Sequence, residues 1–516
     1  MVVPEPKGWR AARPHVVRIA RAARSRAERV TRVVAARSTG FTTLQFAAGA
    51  ATAGLLLAAG AVTVAGPWDS TGQRTAERDR AAARDRQGGT DHGPDSGWSP
   101  GTAQGAPKPA PSAPSVLAGL GGSGSAPGGR ALAGLLDPLL DDEALGPRHT
   151  AAVVDVATGK VLYGRGADDA STPASTTKIA TAAAALSAAG ADHRIETRTV
   201  LAPGSDEVVL VGGGDPTLTA REDAEGYASL RELADETAAA LRKRHLDEIT
   251  LAYDTSLYEG PALHSIGPNP NLARVTPLMV DEARLDDSTS GPADRAADPA
   301  EDAAQRFEEL LEDRGITARS VDEAEAAKGA RILGSVSSPP LSALVERMLT
   351  SSDNDIAEAL ARQTALASGE PASFAGAGTA IRDELRELGL PLDGVRFADG
   401  SGLSRDDRMT ADLLTALLAE AASPRRPGLR PVLTGLPIAG FTGTLRDRYA
   451  DETSGTGLVR AKTGTLTGVN TLAGTVVDAD GRLLAFAFLA TGTTDPTAAQ
   501  QTLDRAASAL AGCGCR

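Results

Sequence analysis

Aromatic residues make up only 3% of the sequence, too few to supply the stacking platforms on which proteins hold unpaired bases. Cysteine is scarcer still. Cys513 and Cys515 are the only two, and they stand one residue apart, a spacing that strains a disulfide and brings too few ligands together for zinc. Six histidines are scattered along 516 residues and no Gly-x-Ser-x-Gly elbow occurs, which argues against catalysis by a Ser-His-Asp triad. Lysine is confined to seven positions, whereas Lys and Arg together number 53, so a lysine inside a motif carries weight.

What is present is divided unevenly. Residues 1–40 hold nine Arg and one Lys against two Glu, a local +8 that leaves −21 of the overall −13 for the rest of the chain. A basic arm suits nucleic acid or a membrane surface, and the following segment favours the membrane. Leu44 to Val64 carries no charge and reaches the roughly 20 residues that a helix needs to cross a bilayer. Arginine before the span and acid after it orient the N-terminus toward the cytoplasm. We therefore expect a basic cytoplasmic arm over 1–43, a transmembrane helix over 44–65, the remainder outside the cell, and no nucleic-acid partner. The competing reading is a cleaved signal peptide ending near Ala59-Gly60-Ala61 or Val64-Ala65-Gly66, although an n-region of this length is unusual for one. Residues 66–130 are rich in Gly, Ser, Pro and Ala, bury too little apolar surface to offset their ordering entropy, and read as a disordered linker.

From residue 131 onward the pattern is that of a folded α/β (α+β) protein. Thr150 to Val156 and Lys160 to Tyr163, joined by Ala157-Thr158-Gly159, read as a β-hairpin. The hairpin leads into Pro173-Ala174-Ser175-Thr176-Thr177-Lys178 and an Ala-rich helix, with Ser175 in the first turn and Lys178 one turn later on the same face. A serine needs an adjacent base to attack a carbonyl, and a lysine serves as that base only when desolvation lowers its pKa. The motif therefore predicts a walled pocket, although an isolated Ser-x-x-Lys is more often a helix start followed by a solvated lysine.

Residues 195–335 look like a separate insertion of mixed strands and helices. It contains strands over Glu196–Val200 and Glu207–Val211, a turn at Gly212-Gly213-Gly214-Asp215-Pro216, and a helix from Leu230 to Arg244. Asp281 to Glu301, dense in acid but without calcium-loop spacing, reads as a solvated loop. In residues 336–516, Ser352-Asp353-Asn354 falls between helices over 341–349 and 356–367, where it also serves as a helix cap. Asp399-Gly400-Ser401-Gly402-Leu403-Ser404-Arg405 and Gly443-Thr444-Leu445-Arg446-Asp447-Arg448 read as turns. Lys462-Thr463-Gly464-Thr465 ends a β-like run, where it offers a cation and a hydroxyl to a carboxylate while glycine permits close approach of a ligand. A hairpin from Asn470 to Ala490 and a helix from Pro496 to Leu510 follow.

Taken together, Ser175-x-x-Lys178, Ser352-x-Asn354 and Lys462-Thr463-Gly464 resemble, in order and setting, the penicillin-recognising serine enzymes. With Gly212 to Pro216 and the two turn motifs, residues 131–516 resemble the class C low-molecular-mass penicillin-binding proteins, the D-alanyl-D-alanine carboxypeptidase/endopeptidase family. The resemblance implies a transpeptidase-like domain, an antiparallel sheet flanked by helices, formed by 131–194 and 336–516, with the mixed α/β insertion between the first two motifs. It implies that Ser175 attacks the peptide bond of a peptidoglycan stem peptide, that Lys178 accepts its proton, and that Ser352 relays a proton with help from Lys462. Asn354 would bond the substrate backbone, Thr463 would hold the terminal carboxylate, and the N–H groups of Ser175 and Thr465 would form the oxyanion hole. It implies β-lactam antibiotics as inhibitors and no metal or organic cofactor. The alternatives are a β-lactamase-like serine hydrolase, or a non-catalytic wall-binding or β-lactam-sensing protein.

Overall fold

The computed structural model describes residues 128–449 and 454–514. The basic arm, the apolar span 44–65, nearly all of the linker and Cys515 lie outside the described residues. Among those described, no helix is long and apolar enough to cross a membrane.

Two five-stranded sheets organise the molecule. Helix α1 (Gly129–Leu140) precedes the hairpin β1 (Arg148–Asp155) and β2 (Lys160–Arg165), and α2 (Thr177–Ala188) follows. The next stretch holds β3 (Glu196–Leu201), β4 (Glu207–Val211), α3 (Leu230–Arg242), β5 (Glu248–Asp254), α4 (Pro299–Glu312), β6 (Thr317–Glu323) and β7 (Arg331–Ser337). Helices α5 (Leu341–Ser351), α6 (Asn354–Ser368), α7 (Phe374–Glu387) and α8 (Ala411–Ala421) come next. The chain then forms β8 (Val459–Leu466), β9 (Val469–Val477), β10 (Leu483–Thr491) and α9 (Pro496–Ala511).

The first sheet has the order β2-β1-β10-β9-β8 and is antiparallel throughout. Its two ends in sequence are joined where Arg148 to Asp155 pair with Thr491 to Leu484. Alternation along β10 sends Ala485, Ala487 and Leu489 to one face and Leu484, Phe486 and Phe488 to the other, as the period of two requires. The small side chains of the first face admit α8, which packs on β10, β1 and β9, while α2 packs against α5, α6, α7 and α8. The opposite face is covered by α1 and α9, whose leucines join Val153, Phe486 and Phe488. Helix α2 is buried from Thr177 through Leu186, and its alanines give neighbouring helices close approach. The helix that opens with the Ser175 turn thus lies at the centre of the helical layer.

The second sheet, order β6-β5-β4-β3-β7, mixes parallel and antiparallel pairs and carries α3 and α4 over its core. All of it is drawn from residues 196–337, the stretch read as an insertion. One local expectation fails. Asp281 to Glu301 does not open on a solvated loop, because Glu282 and Arg284 are buried. Residues 281–283 turn with positive φ, and Glu282 pairs with Arg284 at 2.8 Å and with Arg347 of α5. Arg295 pairs with Asp355 of α6 at 3.0 Å. The acid-rich stretch is held inside by arginines, some of them distant in sequence.

Candidate active site

Residues Ala174–Thr176 form one tight turn that runs directly into α2. Ala174 has φ +48°, a conformation that costs a non-glycine residue of order 1–3 kcal/mol and that the surroundings must enforce. Two glycines do so. A Cβ on Gly402 would stand 2.0 Å from the Ala174 carbonyl oxygen, and one on Gly464 would stand 2.8 Å from the Pro173 carbonyl oxygen. Gly464 therefore lets β8 close on the serine turn. The close approach anticipated for a ligand is made here by the protein's own backbone.

Ser175 is partly exposed and Lys178 is wholly buried beneath it. Lys178 Nζ lies 3.2 Å from Ser175 Oγ, 2.7 Å from Asn354 Oδ1 and 2.6 Å from the Ser401 carbonyl oxygen. Burial pulls its pKa down to about 8, against the opposing charges of Asp399, Glu358, Asp353 and Asp407. A neutral amine has two hydrogens and one lone pair. When Lys178 is neutral, donating those hydrogens to Asn354 and Ser401 leaves the lone pair for Ser175.

The second motif sits where two helices meet. Ser352 closes α5 in the left-handed conformation, and the Asp353 side chain, not that of Ser352, caps α6 by accepting from Ile356 N at 3.0 Å. This bend presents Ser352 and Asn354 to the same cleft. Asn354 is held at both ends of its amide, since Nδ2 donates to the Asn271 carbonyl at 2.8 Å.

Strand β8 is the edge of the first sheet; its outer side is bonded to Pro437 and Ala439 through Val459 and Ala461, and the stretch beyond, which carries Thr463 and Thr465, is where an extended ligand can pair. Lys462 Nζ lies 2.9 Å from Ser352 Oγ and donates to the Thr463 carbonyl at 2.8 Å. Complete burial drives the Lys462 pKa well below its ordinary value, and the charges of Lys178 and Arg448 push it the same way. Thr463 and Thr465 reach the surface, and Thr463 donates to the Thr444 hydroxyl at 2.9 Å. The structure thus gathers Ser175, Lys178, Ser352, Asn354 and Lys462, with the neighbouring Thr463, Gly464 and Thr465 of β8, into one cluster.

It also adds residues to which the sequence reading gave no role. Ser401 supplies the carbonyl on Lys178, and Glu358 accepts from Gly400 N and Ser401 N. Charged residues at 358 and 362 in an otherwise buried helix are the signal that was available. Asn271 had no comparable mark, whereas Thr444 lies in the Gly443 to Arg448 turn motif already singled out. Among the described residues, two groups bring three side chains with metal-ligating atoms within 4.8 Å of one another, His264/Glu358/Asp399 and Glu282/Asp353/Asp355. In the first, the carboxylates are occupied by backbone N–H groups; in the second, they are paired with arginines and Ala273 N.

The chain matches the model of the D-Ala-D-Ala carboxypeptidase 3 (S13) family over residues 132–290 and 283–511. It is 35% identical over 429 residues to Carboxypeptidase Rv3627c of Mycobacterium tuberculosis, across 80% of this chain and 90% of that protein. It is 37% identical over 430 residues to Carboxypeptidase DacB of Mycolicibacterium smegmatis, with the same shares of each covered. Its fold resembles the crystal structure of penicillin binding protein 4 (dacB) from Haemophilus influenzae, with a TM-score of 0.60 at 21% identity over 72% of this chain and 97% of that one.

Proposed function

Since this chain belongs to the D-Ala-D-Ala carboxypeptidase 3 (S13) family, we propose that it is a serine-type carboxypeptidase that removes D-alanine from peptidoglycan stem peptides through an acyl-enzyme on Ser175. The observation that carries this reading is the geometry of Lys178. Its buried Nζ lies 3.2 Å from a partly exposed serine hydroxyl and is held by the Asn354 and Ser401 oxygens at 2.7 and 2.6 Å, so that once deprotonated it can turn its lone pair to Ser175.

Ser175 Oγ attacks the carbonyl between two D-alanines while Lys178 takes its proton. The backbone N–H groups of Ser175 and Thr465 face the developing oxyanion. The leaving D-alanine receives a proton through Ser352, which Lys462 holds at 2.9 Å, and water then releases the shortened peptide. Thr463, steadied by Thr444, holds the terminal carboxylate. That carboxylate, arriving beside the depressed amine of Lys462, favours its charged form. β-Lactams acylate the same serine and leave a fragment that obstructs deacylation. The succession of a basic arm, an apolar span over 44–65 and a Gly-, Ser-, Pro- and Ala-rich linker in the sequence supports an extracytoplasmic enzyme tethered to the cell membrane, with residues 195–335 as an inserted domain.

Intact mass after mixing the protein with benzylpenicillin tests the reading, with Ser175→Ala as control. A persistent adduct on the parent, absent from the variant, is expected. Destruction of penicillin without an adduct would transfer the function to β-lactamase, and a folded parent that leaves penicillin intact would overturn catalysis.

A further inference from the structure

Among the described residues, His264 is a buried histidine from the second-sheet region that reaches across to the cleft-forming part of the chain. It lies in the segment after β5, and its Nε2 lies 2.9 Å from Asp399 Oδ2. The other ring nitrogen, Nδ1, accepts from Ile266 N at 3.2 Å, which requires the proton of the neutral ring to reside on Nε2 and point at Asp399. Phe374 stacks edge-on against the ring at 5.1 Å, so its orientation is fixed by contacts on three sides.

Asp399 in turn holds the turn that follows it. Its Oδ1 accepts from Gly402 N and its Oδ2 from Ser404 N, each at 2.6 Å. Between those two residues and Asp399 lies Ser401, whose carbonyl sits 2.6 Å from Lys178 Nζ. Gly402 is the glycine pressed against the Ala174 carbonyl. A displacement of this turn therefore moves an acceptor of the lysine and a wall of the serine turn together.

We propose that His264 is a positioning residue for acylation: by donating to Asp399 it fixes the 399–404 turn, and through the Ser401 carbonyl it aims the Lys178 lone pair at Ser175. Residues 196–337 would thereby act on the nucleophile as well as bordering the cleft. The inference rests on the serine acyl-transfer reading above. The charges that surround the two ends are known. Lys178 faces Asp399, Glu358, Asp353 and Asp407, with Lys462 beyond, and His264 faces Asp399, Glu358 and Arg362. Asp407, pushed up to about 9 by burial and by the Asp399 charge, is a protonated donor to Asp399 and remains in place when His264 is changed.

Gln and Met are close in length and volume, but only Gln carries a donor, so His264→Gln and His264→Met separate the hydrogen bond from the packing. The measurement is the acylation rate constant for benzylpenicillin between pH 6 and 10, normalised to the fraction of enzyme that finally becomes acylated. His264→Met is expected to acylate at least about tenfold more slowly, the arithmetic of a loss near 1.4 kcal/mol. Its acid limb should move upward, because Asp399 then acts on Lys178 without the imidazole opposing it. His264→Gln should recover most of the rate. Equal rates and equal limbs in both variants and the parent would overturn the proposal, as would a fall in folded fraction alone in either variant. A parent that fails to acylate would instead sink the catalytic reading on which the proposal rests.

Discussion

Two lysines a few ångströms from two serines sit in different electrostatic surroundings for reasons that can be traced residue by residue. Both are wholly buried, and desolvation lowers each. Lys178 has four acidic neighbours that partly restore its charge, so it settles near 8. Lys462 has Lys178 and Arg448 instead, whose charges push the same way as burial. Pairs of titratable groups pushed apart in this way are the usual basis of distinct acid and base roles. Because protonated Lys178 has no lone pair, acylation by benzylpenicillin should fall about tenfold for each pH unit below 8 and level off above it. Stopped-flow acylation between pH 6 and 9 measures this, and a flat rate from 6 to 8 would remove Lys178 as the base.

At the scale of elements, the site depends on how closely β8 approaches the serine turn. A Cβ at Gly464 would stand 2.1 Å from Thr471 Oγ1, the atom that donates to the Pro173 carbonyl at 2.8 Å. Gly464→Ala should therefore break that bond, shift Lys462 and Thr463 away from Ser175, and destabilise the protein by about 1–3 kcal/mol. Acylation should drop at least tenfold, by an argument of order 1.4 kcal/mol per decade. Gly428, with nothing within 4 Å of an added Cβ, supplies the neutral control in thermal melts and acylation assays. The strands and helices carrying these glycines are legible locally. The hairpin around Ala157-Thr158-Gly159, the Ala-rich α2 and the paired strands β9 and β10 follow from period and turn chemistry alone. The three motifs were visible because each combines rare residue types with a local break. What was not legible is long-range pairing. Nothing beside His264 in sequence announces Asp399, and the acids of 281–301 look solvated until Arg347 from α5 is placed against Glu282.

Among the described residues, the second-sheet region and the helices bearing the Ser352 motif are joined by polar contacts, those to Asp355 buried. The Asn271 carbonyl accepts from Asn354, Ala273 N donates to Asp355 Oδ1 at 2.9 Å, and Arg295 pairs with Asp355 Oδ2 at 3.0 Å. With so much of the tie ionic and buried, removing one partner should cost more than the pair itself contributes, about 3–5 kcal/mol. Burial holds Asp355 up at about 6 even against the lowering effect of Arg295. A carboxyl raised in the folded state favours folding fully only below its unfolded pKa, and that contribution is lost as pH rises through the folded value. Arg295→Met removes the cation and moves the folded value higher still. The variant should therefore lose most stability near pH 8, where Asp355 must ionise unpaired, and much less near pH 5, where it stays protonated. Urea unfolding at the two pH values measures the difference. An equal loss at both would show that Arg295 contributes by packing alone. A loss confined to pH 8, accompanied by slower acylation, would show that the charge on Asp355 couples the second-sheet region to the helix that presents Asn354 to Lys178.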